Sequence, residues 1–210
     1  MRARVEAYGD EALLLEIEGE SAILGQERLE AIAGAMRCEP EVREAVVGLG
    51  NLGVLVSRGS RGRLARRLIA LLDEPRTTDA LGRTHEIPVR YDGEDLHELA
   101  ALHGLSAEEA VARHLAPLYS VAFLGFAPGF AYLLGLDPRL ATPRRGRPRT
   151  RVPAGSVAIG DAFTGIYSVA SPGGWHLLGR TESVLFDPER RPAALLAAGD
   201  RVRFVRERAS

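Results

Sequence analysis

Six arginines lie in one proline-rich segment, and their side chains could bind an anion. They are Arg139, Arg144, Arg145, Arg147, Arg149 and Arg151, and no acidic residue follows Asp137 within the segment. The guanidinium group binds carboxylates and phosphates through paired hydrogen bonds, and prolines at 138, 143, 148 and 153 reduce the entropy lost on docking. The pattern indicates either an anion or acidic-partner surface, with Arg144, Arg145, Arg149 and Arg151 as candidates, or a solvated loop whose arginines pair with acids elsewhere.

Two glycine-rich turns with aromatic residues flank the arginine segment, at 125–130 and 171–175. Successive backbone N–H groups in such turns can form an anion-binding nest. Tight corners of a β-barrel explain the same residues equally well. The candidate binding residues of these turns are Gly125, Phe126, Pro128, Gly129, Ser171, Gly173, Gly174 and Trp175.

One histidine is a candidate for acid–base chemistry. His114 lies near the end of a predicted helix that leads into the first glycine turn, and imidazole titrates near neutral pH. A hydrogen-bonded structural histidine is the alternative. The five histidines lack the i, i+4 spacing of a helical metal pair, and Cys38 is the single cysteine, so no metal site is predicted.

The chain contains no lysine. This excludes a Walker A phosphate-binding loop and a Schiff-base lysine, so either role must belong to another polypeptide. No G-x-S-x-G motif occurs, which leaves a serine-hydrolase interpretation without support.

The net charge and the distribution of apolar residues give no support to three further classes: nucleic-acid-binding, secreted and membrane proteins. A formal net charge of −1 gives no reason to expect a nucleic-acid or membrane partner. The first twenty residues lack the apolar run of a signal peptide, and no stretch approaches the roughly 20 apolar residues of a membrane span. We therefore expect a cytoplasmic protein.

Residues 1–82 are predicted to form a small α/β domain. Strand patterns cover 2–7, 12–17, 42–47 and 54–56, one helix is capped by Ser21, and a second helix covers 63–72. With a strand over 85–91, the expected order is the β-α-β-β-α-β of a ferredoxin-like sandwich.

Residues 83–210 are predicted to form a second core, so the expected fold class of the whole chain is α+β. Two short helices come first, one ending at Leu102 and one opened by a capping box at Ser106 and Glu109. Short strands are expected over 121–125, 156–159, 165–169, 175–179, 184–186 and 202–205, around an aperiodic loop over 134–152. Short strands joined by glycine and proline turns are typical of a small barrel or sandwich.

Several runs resemble the family of the 5-oxoprolinase B subunit, also called allophanate hydrolase subunit 1, which includes the sporulation kinase inhibitor KipI. The runs are GFAPGFAYLLGLDPRL, PRRGRPRTRVPAGSVAIG, TGIYSVASPGGWHLLGRT and LFDP with Gly199-Asp200, preceded by Glu86-Ile87-Pro88-Val89, Asp95-Leu96, His114 and Tyr119. The resemblance implies an α/β N-terminal domain followed by a cyclophilin-like β-barrel. It adds Thr164 and Tyr167 to the candidate binding residues. The family usually has glutamine where this chain has Phe163, and proline at the positions of Ala131 and Ser168.

The resemblance also implies a function. A protein of this family works with an A subunit and a larger C subunit to open 5-oxoproline to glutamate with ATP hydrolysis, and a homologous module occurs in urea carboxylase. The alternatives are a KipI-like inhibitor of a histidine kinase and a component of an allophanate hydrolase or urea carboxylase type of amidohydrolase. We expect the chain to be inactive alone. We also expect the arginine segment and both glycine turns to meet on one face of the barrel, with Arg144 and Arg149 exposed for binding.

Overall fold

Two units of secondary structure follow one another along the chain, Met1–Leu81 and Gly82–Ser210. The computed structural model describes residues 2–19, 22–74 and 82–207. The helix cap expected at Ser21 lies outside the described residues. None of the described helices is both long and apolar enough to cross a membrane.

The first unit is an antiparallel sheet with two helices on one face. Its elements are β1 (Arg2–Ala7), β2 (Ala12–Glu18), α1 (Ala22–Arg37), β3 (Val42–Gly48), β4 (Asn51–Val56) and α2 (Arg61–Asp73). In β2, Leu13 and Leu15 are buried while Leu14 between them is half-buried, because alternate residues of a strand point to opposite faces. Helix α2 covers the buried face with Leu64 and Leu68, which lie one turn apart.

The predicted order of this unit is wrong in its last strand. The sheet order is β1-β2-β4-β3, and all its pairs are antiparallel. The sixth element, expected over 85–91, is β5 (Thr84–Val89), which pairs in parallel with a strand of the second unit. The edge position beside β2 is occupied by β1 instead, so the unit has the order β-β-α-β-β-α.

The second unit is a nearly closed β-barrel. Its further elements are α3 (Leu96–Leu102), α4 (Ala107–Leu115), β6 (Tyr119–Leu124), β7 (Ala131–Leu134), β8 (Arg149–Val152), β9 (Ser156–Gly160), β10 (Phe163–Ile166), β11 (Ser171–Gly173), β12 (His176–Arg180) and β13 (Arg201–Arg206). The seven-stranded sheet has the order β12-β9-β10-β7-β6-β13-β5. Arg90 and Arg180 exchange two backbone hydrogen bonds of 2.9 Å, which join the two edges of this sheet.

The barrel core is lined by alternate apolar residues from all seven strands, with residues of α3 and α4 packed against them. Val157 and Ile159 of β9 are typical, each with no exposed surface. Fully burying such a side chain stabilises the fold by about 1.5–3 kcal/mol. The intervening residue, Ala158, faces the outer surface of the sheet.

The short helices and several strands agree with the sequence pattern, and other strands do not. The capping box is confirmed: the Glu109 N–H donates to Ser106 Oγ at 3.2 Å, and the Ser106 N–H donates to Glu109 Oε2 at 2.8 Å. Strands β7, β8 and β11 lie where the sequence pattern predicts none, and the segment over 184–186 forms only an isolated bridge between Phe186 and Ala194. The loop expected over 134–152 contains β8, which pairs with β11 as a separate two-stranded sheet.

Candidate functional site: an aromatic and arginine-rich face of the barrel

An aromatic cluster covers the outer surface of the barrel sheet. Phe130 is at its centre, with ring centroids 5.1 Å from Tyr132, 5.5 Å from Tyr167 and 5.4 Å from Trp175. Each pair is close to perpendicular, a geometry that contributes about 0.5–1.5 kcal/mol beyond the buried area. The cluster consists of Phe123, Phe126, Phe130, Tyr132, Phe163, Tyr167 and Trp175.

The first glycine turn delivers two rings to this cluster. The Ala127 N–H donates to the Gly125 carbonyl at 2.7 Å, which makes a three-residue γ-turn around Phe126. Phe126 has φ of +66° and is 60% exposed, and its ring lies 5.3 Å from that of Phe130. A γ-turn with positive φ at its central residue is rare and strained.

The second glycine turn contacts the cluster at two places. Trp175 of the turn lies against Gly160 of β9, and Tyr167 lies against Gly173 of the turn. A Cβ atom on Gly160 would lie 2.5 Å from the Trp175 ring, and one on Gly173 would collide with the hydroxyl of Tyr167. A Cβ atom at either position would therefore force the ring or the backbone to move. The Gly174 carbonyl accepts from the Arg145 N–H at 2.7 Å, which joins this turn to the arginine segment.

Two of the predicted binding arginines are paired with a buried acid. Asp95 is 2% exposed and lies at the start of α3. Its carboxylate accepts from Arg145 Nη1 at 2.7 Å, from Arg149 Nη2 at 2.7 and 2.9 Å, and from the Leu177 N–H at 2.7 Å. Arg149 also pairs with Glu94 at 2.6 Å. The expectation that Arg149 is exposed for binding is wrong, because its charge is compensated by acids from 54 and 55 positions earlier in the sequence.

The other arginines of the segment are exposed. Arg144 has 67% of its side chain exposed and lies 3.3 Å from Asp161, which is itself 57% exposed. Arg147 and Arg151 are exposed and form no ion pair with any residue in the described ranges. Arg144 and Arg145 line a cleft of about 420 Å³ together with Asp161, Gly174 and two prolines. Of these exposed cations, Arg151 adjoins the aromatic cluster through its neighbour Val152, and Arg144 is partly compensated by Asp161.

His114 and Thr164 lie in the barrel core, not on this face. His114 has no exposed surface, and its Nε2 lies 2.8 Å from Thr164 Oγ1 while its Nδ1 lies 2.7 Å from the Tyr91 hydroxyl. Thr164 Oγ1 donates to the Ala158 carbonyl at 2.9 Å, so it must accept from Nε2, and Tyr91 donates to Nδ1. Burial lowers the pKa of His114 to about 3 and raises the pKa of Tyr91. The geometry therefore favours a structural role for His114 over the expected acid–base role.

The structure thus brings together both glycine turns, Tyr167 and the arginine segment, and separates His114 and Thr164 from them. Sequence reasoning missed Asp95 as the acid that compensates the arginines. A signal for it exists, since Asp95-Leu96 is one of the motifs shared with the family. Phe163, where the family usually has glutamine, extends the aromatic cluster by an edge contact of 5.6 Å with Tyr132.

Comparison with known proteins defines the class of this barrel chain. Residues 3–196 match the family model of the carboxyltransferase domain, subdomains C and D, and the chain belongs to this family. The chain is 42% identical over 202 residues to the B subunit of 5-oxoprolinase from Haemophilus influenzae, a match that covers 94% of this chain and 95% of that protein. It is 43% identical over 209 residues to the protein of the same name from Escherichia coli O157:H7, covering 97% and 96%. The resemblance to the family of the 5-oxoprolinase B subunit is confirmed.

Solved structures share the fold. The crystal structure of TTHA0988 superposes with a TM-score of 0.83 at 43% identity and covers 95% of this chain, which corresponds to only 40% of that longer chain. The urea carboxylase of Kluyveromyces lactis superposes with a TM-score of 0.72 at 19% identity over 98% of this chain and 22% of its own. The same architecture therefore occurs as part of larger polypeptides.

Proposed function

We propose that this chain is the B subunit of a multi-subunit, ATP-dependent 5-oxoprolinase that converts 5-oxoproline to glutamate together with an A subunit and a C subunit. The observation that carries the proposal is identity of 42–43% over nearly the full length of two relatives with that name. A third relative so named, from Bacillus subtilis, is 50% identical over 127 residues, 59% of this chain and 53% of that protein. A kinase-regulating role is not favoured, since all three relatives carry the 5-oxoprolinase name.

The reaction explains why ATP is required. A lactam carbon is a poor electrophile, and transfer of the γ-phosphoryl group of ATP to the lactam oxygen, with ADP leaving, would activate it. Addition of water and cleavage of the ring C–N bond would give the free amine and a glutamyl phosphate, which a second water hydrolyses to glutamate and phosphate. Positive side chains placed at the developing negative charge stabilise such steps.

The contribution we assign to this chain is binding. The chain has no lysine for a phosphate-binding loop, so we place nucleotide binding mainly on a partner subunit. The exposed Arg144, Arg147 and Arg151 supply cations for a carboxylate, a phosphate or an acidic partner. We assign the complex to the cytoplasm, where ATP is available, and describe its barrel as cyclophilin-like and its first unit as a ferredoxin-like variant.

The decisive experiment is reconstitution. The chain is assayed for ATP hydrolysis dependent on 5-oxoproline and for glutamate formation, alone and with the A and C subunits encoded by the same genome. We expect turnover only when all three are present. Robust turnover by the isolated chain would refute the multi-subunit proposal. If the three proteins form a complex that is inactive, 5-oxoproline is not the substrate.

A further inference from the structure

The first strand of the first unit forms one edge of its sheet. Strand β1 pairs with β2 on one side, and the sheet ends on its other side. Its residues pair in one continuous register without a bulge, and none of them is proline. An edge strand of this kind presents a row of unpaired N–H and C=O groups to which another strand can bind. The position of β1 therefore identifies a surface that can accept a further strand.

The opposite edge of the same sheet, strand β3, is protected against such pairing. Its register shifts between Val42 and Glu44, which marks a bulge, and Arg37 Nη2 donates to the Ala45 carbonyl at 3.0 Å. Bulges and covering groups are devices that prevent an edge strand from pairing with another chain. Strand β1 has no register shift, and within the described ranges no side chain bonds to its backbone. Of the two edges, β1 is therefore the open one.

The turn after β1 shows which backbone groups face the open edge. The Tyr8 N–H donates to the Ala12 carbonyl at 2.9 Å, so the backbone groups of Tyr8 point towards β2. Successive residues of a strand point their backbone groups to opposite sides. The even-numbered residues of β1 therefore bond to β2, and the groups of Ala3, Val5 and Ala7 point to the open edge. A second strand bound here must bring its own outward-facing residues opposite these three.

The charges of β1 select one way in which two copies of this strand can pair. An antiparallel pair with a twofold axis can be centred on any residue from Ala3 to Glu6 and still keep outward-facing groups opposite one another. An axis through Ala3 places Arg2 opposite Arg4, and an axis through Arg4 or Glu6 places that residue opposite its own copy. Like charges directly opposite one another destabilise a sheet. An axis through Val5 instead places Arg4 of each copy opposite Glu6 of the other.

Arg4 and Glu6 already form an ion pair within one chain. Their side chains are 69% and 43% exposed, so this pair contributes little to stability. Pairing of two copies would exchange this contact for two equivalent contacts between the copies. The charges therefore determine the register, and the free energy of association must come from backbone hydrogen bonds and apolar contacts.

An exposed apolar side chain of α2 lies on the same side of the unit as this edge. Helix α2 contacts β1 and β2, while α1 contacts β3 and β4. Arg63 and Arg67 of α2 both pair with Glu39, which follows α1, so their side of the helix faces α1. Ile69 is 52% exposed and lies about 120–160° around the helix from these arginines. It therefore projects on the β1 side, where a second copy would cover it.

We propose that two copies of this chain associate through β1, in an antiparallel pair centred on Val5 that joins their two four-stranded sheets into one continuous sheet. The outward-facing backbone groups form the new ladder, Arg4 pairs with Glu6 of the other copy, and the two Ile69 side chains pack beside it. The partner is a second copy because β1 is complementary to itself in this register. The inference concerns the first unit and does not depend on the proposed function.

The test reverses the charges of the proposed pair in the full chain. Sedimentation equilibrium measures the dissociation constant of the dimer, and thermal unfolding verifies that each variant folds. The unaltered chain should dimerise. Glu6→Arg and Arg4→Glu each place like charges opposite one another twice, and each should weaken dimerisation by at least about 10-fold. An equimolar mixture of these two variants should regain association as a heterodimer, because every cation then faces an acid.

Glu44→Arg is the matched control, because it makes the same reversal at an exposed residue of β3, the opposite edge. It should leave the dissociation constant unchanged. Ile69→Ser alters an exposed side chain and should weaken dimerisation while the melting temperature is retained, which keeps the test decisive if a charge variant fails to fold. The inference is overturned by a monomeric unaltered chain, by full dimerisation of Glu6→Arg, or by a mixture of folded variants that stays monomeric.

Discussion

Arg149 donates to both oxygens of the Asp95 carboxylate, at 2.7 and 2.9 Å, across 54 residues of sequence. The same carboxylate accepts from Arg145 and from the backbone of β12. The arginine segment, the start of α3 and β12 are therefore fixed to one buried acid. This relationship divides the arginines into a pair that holds the barrel surface together and an exposed set that is available to bind.

Replacement of the buried acid should destabilise the second unit strongly. Asp95→Asn turns an acceptor of four hydrogen bonds into a group that presents an N–H₂ to guanidinium donors. Breaking such a buried pair costs about 3 kcal/mol, measurable as a loss in the free energy of unfolding in urea. The control is Asp161→Asn, which alters an exposed pair and should cost less than about 1 kcal/mol. Equal losses in the two variants would contradict this prediction.

The two classes of arginine should separate in paired alanine variants. Arg149→Ala leaves Asp95 with fewer donors, and the free energy of unfolding should fall by about 2 kcal/mol. Arg144→Ala removes a side chain that is 67% exposed, so its stability should change by less than about 0.5 kcal/mol, while binding to the partner subunits weakens. Thermal unfolding and titration of the same samples measure both quantities. A stable Arg149→Ala protein would show that the Asp95 pair contributes little.

The stability of the second unit should fall in acid because of His114. Burial lowers the pKa of this histidine from its ordinary value of 6.5 to about 3 in the folded chain, so between these pH values the unfolded chain binds a proton that the folded chain excludes. The free energy of unfolding is therefore highest above about pH 6.5. It decreases as the pH falls below that value, with a limiting slope of about 1.4 kcal/mol per pH unit. Urea unfolding at pH 7 and pH 5 measures the difference.

The matched variant for this measurement is His114→Gln, which keeps a donor and an acceptor and does not titrate. It should be less stable than the unaltered chain at pH 7 and should lose less stability between pH 7 and pH 5. Parallel pH profiles for the two proteins would contradict the assignment of the loss to His114.

A single methyl group should disturb the aromatic cluster. In Gly160→Ala, the new Cβ would lie 2.5 Å from the Trp175 ring, so the ring must move, at a cost of about 1–3 kcal/mol. Trp175 is the only tryptophan of the chain, and a shift in its emission spectrum reports the movement directly. Gly146→Ala serves as the control, because a Cβ there meets nothing within 4 Å. An unchanged spectrum in Gly160→Ala would show that the cluster adapts freely.

Local patterns predict the helices well and the outer layer of the barrel poorly. The capping box at Ser106 and the amphipathic helix α2 can be identified because their signals lie within one or two turns of sequence. Strand β11 is Ser171–Gly173, which has no alternation of apolar and polar residues, and it forms because β8 lies beside it. Such strands depend on tertiary pairing, so a single sequence does not reveal them.

The candidate site shows the same limit. The glycine turns can be identified as special from composition, and the structure gives the reason at two positions. Tyr167 occupies the space of a side chain at Gly173, and Gly129 has φ of +75° and packs against Phe186. The compensation of Arg145 and Arg149 by Asp95 could not be derived from spacing, because 50 and 54 residues separate the charges. The predicted order of the first unit is wrong because β1 and β5 have equally good strand patterns, and only the pairing shows which of them joins that sheet.

The position of β13 has a consequence for biosynthesis. This strand lies between β5 and β6, so it separates two strands that precede it by roughly 80 residues or more and completes the barrel only after both have formed. A ribosome must therefore translate beyond residue 206 before the barrel can close, whereas the first unit pairs β1 with β2 and β3 with β4 as neighbours in sequence. The barrel strands made earlier have unpaired edges during this interval, so mispairing during synthesis threatens the second unit more than the first.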